Sequence, residues 1–125
     1  MEKVAVYASL KNQNRDSIDF FLKQISNWCI MKNYDYTIYF DKVNNRLDLD
    51  RKELNVLKED IRNKKYSKII IKDLSHLSRN TVCNMEFLDF LKINNCKIEC
   101  VDGTDLSIYK LLFDRFNKKK ENKFR

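Results

Sequence analysis

The sequence predicts an α/β domain: a mainly parallel sheet of four strands, or slightly more, flanked by helices, with a C-terminal helix extending from the body. Three observations carry this. Short β-rich apolar runs alternate with segments of helical hydrophobic period, in the order βαβαβαβα. One run, KIIIK at 68–72, is apolar without interruption, as a strand buried on both faces must be. Finally, 125 residues at 43% hydrophobic content make one domain with enough apolar side chain to bury a core.

The elements follow in order. KVAVYAS at 3–9 reads as the first strand. Residues 16–32 read as a helix, with Ile18, Phe21, Leu22, Ile25, Trp28 and Cys29 on one stripe and Asp16 or Ser17 as cap. YTIYF at 36–40 is the second strand, and residues 50–64 are a helix facing inward through Leu54, Leu57 and Ile61. After the KIIIK strand, residues 79–93 form a helix on Val82, Met85, Leu88 and Leu91. CKIECV at 96–101 is the fourth strand, and the turn DGTD at 102–105 follows it. The chain has a single glycine, Gly103, and no proline, so Asn, Asp and Ser must make the other turns.

The last helix, 107–124, is different. Ile108, Tyr109, Leu111, Leu112, Phe113 and Phe116 point in too many directions for one core-facing stripe. The expectation is a body at 1–106 and a helix at 107–125 that docks on a second subunit through Leu112, Phe113 and Phe116. A helix folding back on the sheet is the plainer reading.

Charge sharpens this division. Residues 110–125 carry seven Lys or Arg against Asp114 and Glu121, a net +5, which leaves +2 of the total +7 for the rest. A near-neutral body with a basic end suits an anionic partner, most simply nucleic acid. A solvated, fraying terminus would have the same composition. The four cysteines, Cys29, Cys83, Cys96 and Cys100, have no metal-site spacing and read as small apolar residues in a reducing cytoplasm. The first residues contain no signal-peptide core, and no apolar run is long enough to span a membrane. The expected location is therefore cytoplasmic.

Right-handed crossovers put the C-terminal ends of parallel strands on one edge, where a site is expected. Those ends are Ser9 to Asn12, Asp41 to Asn45, Asp73 to Arg79 and Asp102 to Asp105. The third contains the chain's single histidine, His76, within KDLSHLSRN at 72–80. A Ser-His-Asp hydrolase site is disfavoured there. Ser75 and His76 are adjacent and so diverge, and no nucleophile elbow exists with one glycine in the chain. A nucleotide-binding or receiver-like site lacks its Gly-rich loop, and SLKN stands where an acidic pair is wanted after the first strand. One histidine with scattered carboxylates makes no metal site.

VAVYASLKNQNRDSID at 4–19, DLDRKELNVLKEDIRNKKYSKIIIKDLSHLSRN at 48–80, CVDGTDLS at 100–107 and YKLLFDRFNKKKENKFR at 109–125 together show a pattern. Through them the chain resembles, almost end to end, the N-terminal catalytic domain of serine recombinases, the resolvase/invertase family, above all its large-serine-recombinase and transposon branch. The most specific piece is KDLSxLxRN with a correctly spaced upstream DR. The resemblance implies site-specific DNA recombination. A serine attacks a DNA phosphodiester, a phosphoserine link forms, and strands are exchanged within a tetramer without metal, nucleotide or other cofactor. It also implies DNA as partner, and a homo-oligomer or a hetero-oligomer with a related recombinase.

Carried over residue by residue, the resemblance places Arg51 at the arginine of DR, Asp50 beside it, Ser75 at a serine-or-aspartate position and Arg79 at the last arginine of the turn. Guanidinium groups suit this chemistry because they stay charged and fork onto phosphate oxygens. Four departures stand out. Ser9 occupies the position of the family's first arginine, and Lys11 that of its nucleophilic serine. His76 replaces another arginine, and Phe21 a glutamine. The expectation is a degenerate active site with impaired catalysis. Ser9, Lys11, Arg51, Ser75, His76 and Arg79 are its candidate residues, and Lys118, Lys119, Lys120, Lys123 and Arg125 are the candidate DNA contacts. The alternative is a non-catalytic DNA-binding or oligomerisation module that modulates an active recombinase. The family's C-terminal DNA-recognition domain has no counterpart in this sequence, so a truncated relative or an excised domain is expected.

Overall fold

A computed structural model describes residues 1–11, 15–43, 51–78 and 80–103. The elements are β1 (Glu2–Lys11), α1 (Arg15–Met31), β2 (Tyr34–Val43), α2 (Lys52–Arg62), β3 (Lys68–Ile71), a 3-10 turn (Leu74–His76), α3 (Thr81–Ile93) and β4 (Lys97–Cys100). The four strands form one sheet in the order β2-β1-β3-β4, and every pairing is parallel. The helix expected at 107–124 lies outside the described residues.

Alternation along β1 divides the core into two layers. Ala5 and Tyr7 face Leu54, Leu57 and Ile61 of α2 and Phe87 and Leu91 of α3. Val4 and Val6 face Ile25 and Cys29 of α1. β3 supplies both layers, Ile69 and Ile71 to one and Ile70 to the other, which is why it carries no polar residue at its centre. The stripe expected on α2 is thus the buried one.

β1 and β2 run longer than expected because they pair without a break from Glu2↔Tyr34 to Lys11↔Val43. α1 begins at Arg15, so Asp16 and Ser17 lie within its first turn instead of capping it. α3 begins at Thr81, because the Asn80 side chain accepts hydrogen bonds from the Val82 and Cys83 N–H groups and sets the start there. Its buried face is also rotated from expectation. Phe87 and Asn84 go inward beside Met85 and Leu91, while Val82 stays exposed. Asn84 is held there by donating from Nδ2 to the Ser78 carbonyl at 2.8 Å.

The chain leaves β1 for β2 on one side and returns past β1 to β3 on the other. The order therefore reverses between β1 and β3, the position where open α/β sheets form a crevice beyond their strand ends. β3 stops at Ile71 while β1 continues to Lys11, so the 3-10 turn lies alongside the last residues of β1.

Candidate active site at the end of the first strand

Ser9, on the Tyr7 side of β1, meets the 3-10 turn. Its backbone N–H donates to His76 Nδ1 at 3.2 Å and its hydroxyl donates to the His76 carbonyl oxygen at 2.6 Å. Ser9 is 0% exposed and His76 is 3% exposed. An Nδ1 that accepts this hydrogen bond carries its lone pair, so the ring proton belongs on Nε2. The imidazole stacks on Phe21 of α1, with ring centroids 5.1 Å apart and planes 21° apart. The Lys72 ammonium stands over the Phe21 ring at 5.3 Å.

The same carbonyl of His76 accepts a second donor, Arg51 Nη1 at 2.6 Å. Arg51 precedes α2 and is 3% exposed, and its Nη1 also lies 3.4 Å from the Tyr7 hydroxyl. Tyr7 in turn donates to Asp41 Oδ2 at 2.9 Å. Asp41, at the end of β2, accepts from the N–H groups of Glu53 and Leu54, each at 3.0 Å, and so caps α2. A single polar line, Asp41–Tyr7–Arg51–His76–Ser9, thereby ties together two strand ends, one helix start and the 3-10 turn. Burial is the first cause that pushes the Tyr7 phenol well above its ordinary range, so it stays a neutral donor.

Ser75 bonds to Asp73. Its N–H donates to Asp73 Oδ1 at 2.9 Å, and its hydroxyl donates to the same oxygen. Asp73 is thus the cap of the 3-10 turn. Among the described residues no cluster of His, Cys, Asp and Glu could hold a metal ion. Nor is any described helix long and apolar enough to cross a membrane.

The sequence profile of the family "Resolvase, N terminal domain" matches residues 7–117. The chain belongs to this family, the catalytic domain of serine recombinases. Solved structures agree in fold. The N-terminal catalytic domain of TP901-1 integrase is similar with a TM-score of 0.81 at 18% identity, over 99% of this chain and 100% of that one. The C-terminal catalytic domain of ISC1926 TnpA, an IS607-like serine recombinase, is similar with a TM-score of 0.71 at 17% identity, over 87% and 76% of the two chains. A resolvase family site-specific recombinase from Streptococcus pneumoniae is similar with a TM-score of 0.68 at 20% identity, over 98% and 90%. Among curated proteins no sequence matches.

Within this recombinase-family domain, the sequence-derived candidates divide into three groups. Ser9, Arg51 and His76 are brought together. Ser75 is beside them but turned to Asp73. Lys11 ends β1 next to Val43, and Arg79, with the interface and DNA-contact candidates of residues 112–125, lies outside the described residues. His76 joins two of the residues singled out from the sequence: its Nδ1 accepts from the Ser9 N–H, and its ring stacks on Phe21. Tyr7 and Asp41 were not singled out by motif. Their signal was positional: Asp41 is the first polar residue at the end of the second strand, and Tyr7 is an inward tyrosine that needs a polar partner.

The cysteines are as apolar as their spacing suggested. Cys29, Cys96 and Cys100 are buried, and burial pushes each thiol up to about 11. Cys83 is half-buried.

Proposed function

We propose that this chain is a recombinase-type domain that acts on DNA in an oligomer, with a degenerate site and impaired strand cleavage. The observation that supports this most is the Ser9 hydroxyl. It is fully buried, and its proton is directed at a backbone carbonyl, which cannot serve as a general base. Arg51, the retained arginine of DR, is buried and donates to that same carbonyl. The nucleophile position is Lys11, and an ammonium is a point charge for phosphate and no nucleophile. Each missing catalytic group costs on the order of 10²–10³ in rate. In this reading, Lys11 and Arg79 still contribute charge towards DNA phosphate, and Ser75 keeps the turn in shape through Asp73. Residues 1–106 form the body. Residues 107–125 form the oligomerising and DNA-facing helix, through Leu112, Phe113 and Phe116 and through Lys118, Lys119, Lys120, Lys123 and Arg125.

The test uses nicked suicide DNA substrates that trap phosphoserine adducts. No covalent adduct is expected at any protein concentration. An adduct that forms in the wild type and disappears in Ser9→Ala would sink the reading.

A second reading has its own support. His76 bonds to Ser9 and stacks on Phe21, so these three residues form one connected structural unit. A site closed in this way keeps the surfaces of the fold, as a modulator of an active recombinase would need in mixed oligomers. A wild type that sediments as a monomer at all concentrations and recovers no recombinase partner would count against it.

A further inference from the structure

Beside the closed cluster lies an open groove of about 390 Å³, lined by Leu10, Phe20, Phe21, Gln24, Lys72 and His76 among others. This volume falls in the range of about 300–1,000 Å³ of small-molecule sites. We infer that this groove holds one unstacked nucleotide, its base lying on Phe20 and its phosphate near Lys72. The inference rests on the DNA-directed reading above and goes further, naming a base-stacking subsite for single strands.

Phe20 carries the argument. It is 64% exposed and belongs to neither core cluster. Its neighbour Phe21 has its ring engaged by His76 and by Lys72. On α1, Ser17, Phe20 or Phe21, and Gln24 recur at helical spacing and so lie along one stripe, all on the groove. That stripe offers an aromatic face and, from Gln24, a carboxamide with both a donor and an acceptor, as a base edge requires. Lys72 also lines the groove, is exposed and supplies its cation; the neighbouring Asp73, which lines it too, has its Oδ1 engaged by Ser75. A base inside a duplex has both faces covered by its neighbours, so stacking on Phe20 selects a base outside a duplex.

The experiment measures anisotropy of a labelled oligothymidylate, of a labelled duplex and, by competition, of free thymidine monophosphate, with wild type, Phe20→Ala and Phe20→Trp. Phe20→Ala is expected to weaken single-strand binding roughly five- to hundred-fold, the usual loss for one stacked base, and to leave duplex binding unchanged. Phe20→Trp is expected to retain it and to show emission quenched by the strand over the Trp28 background. Lys72→Ala is expected to weaken the strand as well. Competition by free thymidine monophosphate with the same Phe20 dependence assigns the groove to free nucleotides, and binding by the strand alone assigns it to DNA. If Phe20→Ala changes single strand and duplex equally, or changes neither, the groove is not a base site, although the DNA-directed reading stands. If no DNA binds at all, that reading fails too.

Discussion

The Ser9 hydroxyl and the Arg51 guanidinium converge on one acceptor, the carbonyl oxygen of His76, each at 2.6 Å. Both lone pairs of that oxygen are therefore used, in a region closed to water. We expect Ser9→Ala to cost about 1 kcal/mol, since Arg51 keeps the carbonyl satisfied. Arg51→Ala is expected to cost more, about 2–3 kcal/mol, because a buried acceptor then loses its charged donor. Urea unfolding midpoints of the two variants give the comparison, and equal losses would contradict it.

The Phe21 and His76 rings stack on each other, at positions where the family resemblance suggests a glutamine and an arginine. A coupling of about 0.5–1.5 kcal/mol is expected between them beyond buried area. Single variants Phe21→Gln and His76→Arg should each destabilise, and the double variant should lose less than the two single losses combined. Additivity in the double-mutant cycle would show that the rings act independently.

Asp41 has two helix N–H groups and the Tyr7 hydroxyl on its carboxylate. Asp41→Ala removes the cap of α2 and strands those donors, at a cost of about 2–4 kcal/mol. Asp41→Asn keeps one acceptor oxygen and should recover part of that loss. A thermal melt of both variants settles the order, and an Asn variant no better than Ala would remove the capping role.

Three thiols and two phenols set an alkaline limit. Cys29, Cys96 and Cys100 are raised from 9.0 to about 11, and burial pushes Tyr7 and Tyr39 upward as well. For a group whose folded value is raised, stability is complete below the unfolded value and declines as pH climbs towards the folded one. The urea midpoint should hold up to about pH 8 and fall towards about pH 10.5. A flat profile across that window would contradict the burial of these groups. In the native state near neutral pH, a maleimide should label Cys83 ahead of the other three, read by peptide mass.

The basic end can be tested by salt. Replacing Lys118, Lys119 and Lys120 by alanine is expected to reduce the slope of log affinity against log salt. The reduction should be about 0.9 for each duplex phosphate that the chain no longer neutralises. An unchanged slope would assign DNA binding to another part of the chain.

Much of this architecture was legible in the linear pattern. Strand and helix order follow from hydrophobic periods that neighbouring residues set locally, and the KDLSHLSRN segment was legible as lying at the end of the third strand. The rotated face of α3 was not, because Asn84 is drawn inward by the Ser78 carbonyl, a preference that apolar counting ignores. The chemistry of the site was also beyond local pattern. Ser9 and His76 are 67 residues apart, and Tyr7 and Asp41 are 34 apart. Which of their atoms meet depends on where β3 ends relative to β1 and on how the 3-10 turn fills the difference. The linear order of residues was enough to show the family resemblance. Only the packed chain decided that His76 meets both Ser9 and Phe21, because hydrogen-bond geometry and ring stacking exist between elements and not along them.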